Sequence, residues 1–170
     1  MKNKENNIEL TEILVNVSRN TKVNKGGRKF SFSAIVIVGN KNGKVGYGLG
    51  KASEVIEARS KATTEARKCM KQIHLKEGRT IHHDVMGEYG SGKVLLRSAP
   101  KGKGVIAGGA IRSIFNALGV SDIVAKSLGS RNPHNVIKAT FNGLLKITSP
   151  KKIAQKRGKS ITEIIQEDKT

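Results

Sequence analysis

A short run of alternating glycines, residues 44–50, places the strongest constraint on how this chain can fold. Glycine occupies positions 46, 48 and 50, while Val45, Tyr47 and Leu49 alternate with it. This period of two predicts a β-strand with one apolar face and one bare face. Glycine weakens a strand, so the bare face indicates that another backbone or a ligand approaches closely there.

The segments before this strand predict the start of a small α+β unit. Residues 8–17 space their apolar residues as an amphipathic helix does. Residues 18–29 are polar and basic, and their glycine pair at 26 and 27 predicts a turn. Residues 30–38 alternate as a strand, and residues 39–43 form a hairpin loop to the glycine strand.

A helix is predicted after the hairpin, with Ser53 as its N-cap. Its apolar face consists of residues three or four apart: Val55, Ala58, Ala62, Ala66, Cys69 and Ile73. On this interpretation Cys69 lies in the core. Residues 74–78 read as a linker, which closes a first domain over residues 8–77 behind a disordered leader, residues 1–7.

The second half also mixes strands and helices. Strands are predicted at residues 80–86, 92–98 and 123–128, with a basic glycine loop at 100–104. A helix over residues 110–118 ends at Gly119, and another begins at Asn132-Pro133 and stops at Pro150. The predicted fold class is therefore α+β with two small domains, the second over residues 78–148. Residues 149–170 form a polar tail, basic and then acidic.

The charge distribution indicates the partner. The chain has 32 Lys and Arg against 13 Asp and Glu, a net charge of +19, which attracts polyanions such as nucleic acid or an anionic membrane surface. Acidic residues are absent from residues 13–53, 89–121 and 123–162. A surface that only needs solubility mixes both signs, so these windows favour surfaces held against phosphates.

Several classes of protein are excluded. The longest purely apolar run is residues 34–38, too short to span a membrane, and no apolar segment follows the first residues as in a signal peptide. Cys69 is the single cysteine, so neither a disulfide framework nor a cysteine-rich zinc site is expected. The expectation is a cytoplasmic protein.

Three patterns resemble chemical sites and fail on inspection. Residues 87–94 match a P-loop through Lys93, but Val94 lacks the hydroxyl that magnesium requires. The glycines at 46–50 lack the spacing and the later acid of a dinucleotide site. His82 and His83 would point to opposite faces of a strand, so a shared metal is disfavoured. No enzyme, cofactor or metal is predicted.

Basic glycine loops remain as candidate sites. Residues 22–29 and 101–104 place lysine and arginine around glycines, which lets backbone amides approach phosphates. Ser130-Arg131-Asn132 opens a helix, where anions are favoured. Few aromatic residues are available to stack on bases, which favours recognition of RNA shape and backbone. From these residues alone the chain is predicted to bind RNA, either as a structural protein or as a free RNA-remodelling or nucleoid protein. A nucleotide-dependent enzyme would need ATP binding at residues 87–93.

Four ordered motifs, residues 25–32, 45–52, 106–112 and 126–133, closely resemble the family of the fifth protein of the bacterial small ribosomal subunit. The resemblance implies a double-stranded-RNA-binding-like N-terminal domain and a C-terminal domain with a left-handed βαβ crossover. It implies binding of 16S ribosomal RNA near the decoding region and the channel by which messenger RNA enters, and a role in translational accuracy. The implied neighbours are the fourth and eighth small-subunit proteins and messenger RNA.

The resemblance and the charge pattern together define two sets of predicted site residues. The RNA-binding set comprises Arg19, Lys22, Lys25, Gly26, Gly27, Arg28, Lys29, Lys44, Lys51, Lys101, Lys103, Lys126, Arg131 and Asn132. The set implied to face the fourth protein comprises Gly102, Gly104, Gly108, Gly109 and Arg112. Members of this family commonly carry a Pro-Gly-Thr-Gly type sequence where this chain has extra lysines at 101 and 103.

Overall fold

The computed structural model describes residues 10–167, with side chains to residue 164, and contains two four-stranded sheets. The predicted leader, residues 1–7, therefore lies outside the described residues. The fold class is α+β, as predicted. The elements, in chain order, are β1 (Thr11–Asn24), β2 (Gly27–Gly39), β3 (Lys44–Ala52), α1 (Val55–Lys68), β4 (Lys71–Gln72), β5 (Val85–Tyr89), β6 (Gly92–Ser98), β7 (Val105–Ile106), α2 (Gly109–Leu118), β8 (Ile123–Ser127), α3 (Pro133–Lys146), α4 (Pro150–Arg157) and α5 (Ile161–Glu167).

The predicted first helix is wrong, because the segment is strand β1, antiparallel to β2. A bulge between Leu14 and Asn16 inserts one extra residue and shifts the alternation of faces. Ile13 therefore packs on one side of the sheet and Val17 on the other. This phase shift reproduces the spacing of three and four residues that reads as helical in the sequence.

The bare face of β3 packs against the backbone of α1, as its glycines indicated. A Cβ on Gly48 would lie 2.5 Å from the Ala66 backbone nitrogen and closer still to the Ala62 carbonyl oxygen. The facing helix residues are alanines, all fully buried, so helix and sheet approach with almost no side chain between them. The close approach explains why small residues occupy both surfaces.

Helix α1 is shorter than predicted at both ends. Its N-cap is Glu54, which forms no side-chain capping hydrogen bond, so Ser53 is not the cap. It ends at Lys68 with Cys69 as the C-cap, and Cys69 is exposed, which corrects its placement in the core. Ile73 is buried beyond the helix, after the short strand β4, where it packs in the main core cluster and its backbone N–H donates to the Gly43 carbonyl at 2.8 Å.

The segment between the sheets is structured differently from the prediction. An isolated bridge joins Lys76 and Thr80 inside the predicted linker region. Residues 80–84 are not a strand, and β5 begins only at Val85. Ile81 is fully buried within a loop, which gave this stretch its strand-like pattern.

The second sheet has the order β5-β6-β8-β7, and β7 and β8 run parallel with α2 between them. This is the βαβ unit that the resemblance implied; the hand of its crossover stays a prediction. Gly119 ends α2 at φ +86°, and the Asn132 side chain caps α3 by accepting a hydrogen bond from the His134 backbone N–H, both as predicted.

One hydrophobic core joins the two sheets. Ile35 and Ile37 of β2 pack in the same cluster as Phe115 of α2 and Leu144 of α3. The Lys41 backbone N–H donates to the carbonyl of a residue in α2 at 3.0 Å, so the hairpin loop of the first sheet seats on that helix. The two halves therefore bury apolar surface against each other, while the exact limits 8–77 and 78–148 stay predictions.

The predicted polar tail is partly helical. Pro150 does not stop α3, which ends at Lys146, but opens α4 behind a Ser149 cap. Proline suits the first turn of a helix because its missing N–H would be unpaired there. Ala154 and Ile164 are buried, and α4 and α5 contact each other.

Candidate nucleic-acid interface

A two-stranded ribbon projects from the first sheet. Pairing of β1 with β2 continues to Asn24 and Gly27, whereas β3 ends at Ala52, opposite Phe32. Residues 19–30 are all exposed, and the ribbon extends roughly 17 Å beyond the third strand. Its tip is the predicted glycine turn, but the flanking residues are strand rather than loop. The ribbon carries half of the predicted RNA-binding set: Arg19, Lys22, Lys25, Gly26, Gly27, Arg28 and Lys29.

The ribbon places like charges side by side. Lys22 lies directly opposite Lys29 across the two strands. Like charges in this position destabilise a strand pair, and a two-stranded ribbon is marginal without other support. An anion held between the two ammonium groups would remove the repulsion, so the geometry suits a phosphate ligand.

The predicted RNA-binding cations have no carboxylate partner among the described residues. The ion pairs of that part of the chain use other cations, for example Arg67 with Glu12 at 2.7 Å and Lys61 with Glu57 at 2.7 Å. Arg79 pairs with Asp122 at 3.1 Å. The chain thus neutralises its structural cations internally and leaves the predicted set available to external anions.

A polar groove of about 360 Å³ runs between the base of the ribbon and the start of α3. It brings together Lys51 and Asn132, two predicted RNA-binding residues that lie 81 positions apart in sequence. Burial, and then the charge of Lys138, lowers the pKa of His134 in this groove, which favours its uncharged imidazole. Polar groups that neither charge nor motif marks in the sequence also line the groove: Asn16, Ser18, Asn20, Ser33 and His134.

A second groove, of about 570 Å³, separates the start of α2 from the end of β8 and the start of α3. Lys126 and Arg131 of the predicted RNA-binding set line it beside Gly108 and Gly109 of the predicted protein-facing set. Both cations are exposed. The two predicted surfaces therefore meet here rather than lying apart.

The basic loop at 100–104 is anchored by a carboxylate that sequence analysis did not single out. Asp122 is 5% exposed and accepts a 2.8 Å hydrogen bond from the Gly104 backbone N–H and a 3.1 Å bond from Arg79. The Gly104 bond, and then the Arg79 bond and charge, lower the pKa of Asp122 against the opposing effect of burial. The only signal in sequence was its position as a single acid between two acid-free windows.

The anchored loop presents its cations outward. Lys101 and Lys103 are exposed, and Gly102 and Gly104 have positive φ angles of +88° and +76°. A Cβ at either glycine would meet nothing within 4 Å, so the turn needs glycine at these positions for its positive φ angle and not for close packing. The loop surface is open to a partner.

Two predicted residues lie away from the main clusters. Lys44 is at the opposite end of β3 from Lys51, roughly 23 Å away, next to Gln72 of β4. Arg112 is exposed on α2 beside buried Ile111, and it forms no ion pair with any described residue. The structure thus separates Lys44 from the ribbon.

The patterns that failed as chemical sites have other roles in the fold. Residues 87–94 form the turn and strands of the β5–β6 hairpin and not a loop leading into a helix. His82 and His83 lie in a loop, so the argument from opposite strand faces was wrong, although no three metal-ligating side chains converge within the described residues. In residues 10–167 no helix is long and apolar enough to cross a membrane.

Comparisons with known proteins identify the family. The profile described as Ribosomal protein S5, N-terminal domain, matches residues 10–74, and the profile described as Ribosomal protein S5, C-terminal domain, matches residues 87–157. The chain is 54% identical over 165 residues to the small ribosomal subunit protein uS5 of Wolbachia pipientis wMel, covering 97% of each chain. It is 54% identical over 157 residues to that of Granulibacter bethesdensis, covering 92% of this chain and 83% of the relative.

Both matched domains lie in the order in which the two sheets occur, and together they include the ribbon, both grooves and the 100–104 loop. The chain belongs to the ribosomal protein S5 family, whose members are structural, RNA-associated proteins of the ribosome and not enzymes.

Proposed function

We propose that this chain is a structural constituent of the small ribosomal subunit that binds 16S ribosomal RNA near the decoding region. The resemblance adds that this place is beside the channel by which messenger RNA enters, that the protein contributes to translational accuracy, and that it acts in the cytoplasm. The observation that carries RNA binding is the projecting ribbon, whose cations have no carboxylate partner among the described residues.

The ribbon suits RNA backbone for an electrostatic reason. Lys22 and Lys29 raise the local potential without internal compensation, and releasing counterions from RNA phosphates makes their binding favourable. The polar groove beside it supplies amide and hydroxyl groups that can reach ribose hydroxyls, which distinguish RNA from DNA.

The protein-facing surface rests on exposure and charge. Gly102, Gly108 and Gly109 have open space around them, and Arg112 is a solvated cation with no described partner. A carboxylate on the fourth small-subunit protein would pair with Arg112, and the eighth protein is the second expected neighbour. Such a pairing would act at the assembled subunit and not in the folding of the isolated chain.

Salt dependence of RNA binding tests the proposal. With about six phosphates neutralised, affinity for a structured 16S fragment should fall on the order of a thousandfold between 50 and 200 mM salt. The double variant Lys22→Gln/Lys29→Gln should reduce the slope of log affinity against log salt by about 2. Lys68→Gln, which removes an exposed cation on α1, is the matched control and should leave the ribbon contacts intact.

Two results would count against the proposal. An affinity that barely changes with salt would contradict phosphate-dominated binding. Failure to sediment with small subunits in high salt, with RNA binding retained, would favour a free RNA-remodelling or nucleoid protein instead.

A further inference from the structure

An arginine lies over an exposed aromatic ring on the ribbon. The guanidinium carbon of Arg19 is 3.8 Å from the centre of the Phe30 ring. Thr21 is directly opposite Phe30, so Arg19 is its diagonal neighbour on the same face of the two strands. Phe30 is 46% exposed and Arg19 is exposed, so the stacked pair stands on the surface and outside the core.

The stacked pair has an unused binding capacity. The Arg19 side chain forms no hydrogen bond or ion pair with the described residues, so its guanidinium N–H donors are available. The neighbouring strand β3 ends at Ala52, opposite Phe32 of β2. Beyond that point the ribbon residues 19–30 are all exposed, so neither strand nor helix covers the ring. A planar cation backed by a ring, with its donors free, matches the face and edge of a nucleobase.

The surrounding charge favours RNA as the ligand over an acidic protein. Arg28 lies two residues from Phe30 on the same face, roughly 7 Å along the strand, where it can meet the phosphate of a stacked nucleotide. Phosphate backbone alone would not require an exposed ring. The small number of aromatic residues in the sequence argued against base stacking, but one exposed ring is sufficient for one base.

We propose that the Arg19–Phe30 stack receives one unpaired RNA base. The base lies against the guanidinium plane, the free N–H groups of Arg19 reach its edge or the adjacent phosphate, and Arg28 holds the backbone beside it. This rests on the proposed RNA-binding function and adds a site for a bulged or looped nucleotide to it.

Fluorescence of a bulged base tests the site in the full-length protein. The probe is an RNA hairpin with a single bulged 2-aminopurine, compared with the same hairpin fully paired. The bulged RNA should bind roughly tenfold more tightly, since base stacking contributes about 1–3 kcal/mol per base, and 2-aminopurine emission should be quenched on binding.

Variants separate stacking from charge. Phe30→Leu keeps an apolar side chain and removes the ring, and Arg19→Lys keeps the charge and removes the plane, so both should abolish the preference for the bulged RNA. Phe30→Tyr keeps the ring and should retain it. Arg59→Lys changes another exposed arginine, on α1, and is the matched control.

Equal affinity of the wild-type protein for the two hairpins would overturn the inference, and so would a preference that survives Phe30→Leu. Failure of the proposed function is a different result, because neither hairpin would then bind with a steep salt dependence. Circular dichroism of each variant checks that the ribbon substitutions leave the fold intact.

Discussion

The packing of bare strand β3 on helix α1 leads to a sharp prediction for Gly48→Ala. Its Cβ would sit 2.5 Å from the Ala66 nitrogen and closer to the Ala62 carbonyl, and both groups are backbone atoms that no rotamer change can move. To restore ordinary contact with the Ala62 carbonyl, helix and sheet must separate by roughly 1.4 Å, which loosens the contacts of every alanine along the helix.

The expected destabilisation is large for one added methyl group. Overpacking in a tight core costs typically 1–3 kcal/mol, and a clash against backbone places Gly48→Ala at the upper end, about 3 kcal/mol. For a chain of this size the melting temperature should fall by roughly 6–12 °C. Because folded proteins are stable by only about 5–15 kcal/mol, the variant should remain folded at low temperature.

Thermal and urea unfolding, followed by circular dichroism, measure this effect. Gly26→Ala is the matched control, since a Cβ there would meet nothing within 4 Å and its stability should change by no more than about 0.5 kcal/mol. If Gly48→Ala melts within 2 °C of the Gly26→Ala variant, as roughly a 0.5 kcal/mol effect would give, the close-packing argument is refuted.

Three further outcomes are expected. Gly27 has φ +117°, so Gly27→Ala and Gly27→Asp should both lose about 1–3 kcal/mol from backbone strain, but only the aspartate should also weaken RNA binding, measured against structured RNA at fixed salt. Because the pKa of Asp122 is lowered, its contribution to stability is present above the ordinary value of 3.8 and is lost as pH falls through the lowered value. Asp122→Asn should therefore be less stable at pH 7 and should lose less stability on acidification, measured by urea unfolding from pH 7 to pH 2. Identical pH profiles of the variant and the wild type would contradict this. Arg112→Leu should unfold like the wild type, within about 0.5 kcal/mol, yet raise stop-codon readthrough, and wild-type readthrough with normal subunit levels would exclude the proposed pairing.

The sequence predicted elements well where local rules act alone. The Gly119 cap, the Asn132 cap and the hairpin between β2 and β3 follow from backbone preferences that hold in any context. The glycines at 46, 48 and 50 predicted a close backbone approach, although nothing in their spacing identified α1 as the partner.

Local pattern failed where a long-range contact reversed it. The bulge between Leu14 and Asn16 turned a strand into an apparent helix, because the partner strand β2 decides the phase of its faces. Pro150 was interpreted as the end of α3, but α3 ends at Lys146 and Pro150 is the first residue of α4, where a missing backbone N–H costs nothing. Cys69 looked buried because α1 was expected to continue, but the helix ends at Lys68 and Cys69 is exposed.

Composition and the hydrophobic pattern were enough to establish that this protein is basic, α+β and a candidate for RNA binding. Net charge is a sum over the residues, and periodicity is a local pattern, so neither depends on how the chain packs. The tertiary structure alone decided which cations act together. In the folded chain Lys51 and Asn132 line one groove, and Lys44 lies away from the ribbon. Asp122 binds the 100–104 loop, and Phe30 is exposed with Arg19 over its ring. Distances between side chains depend on how sheets and helices pack, and that packing couples residues far apart in sequence.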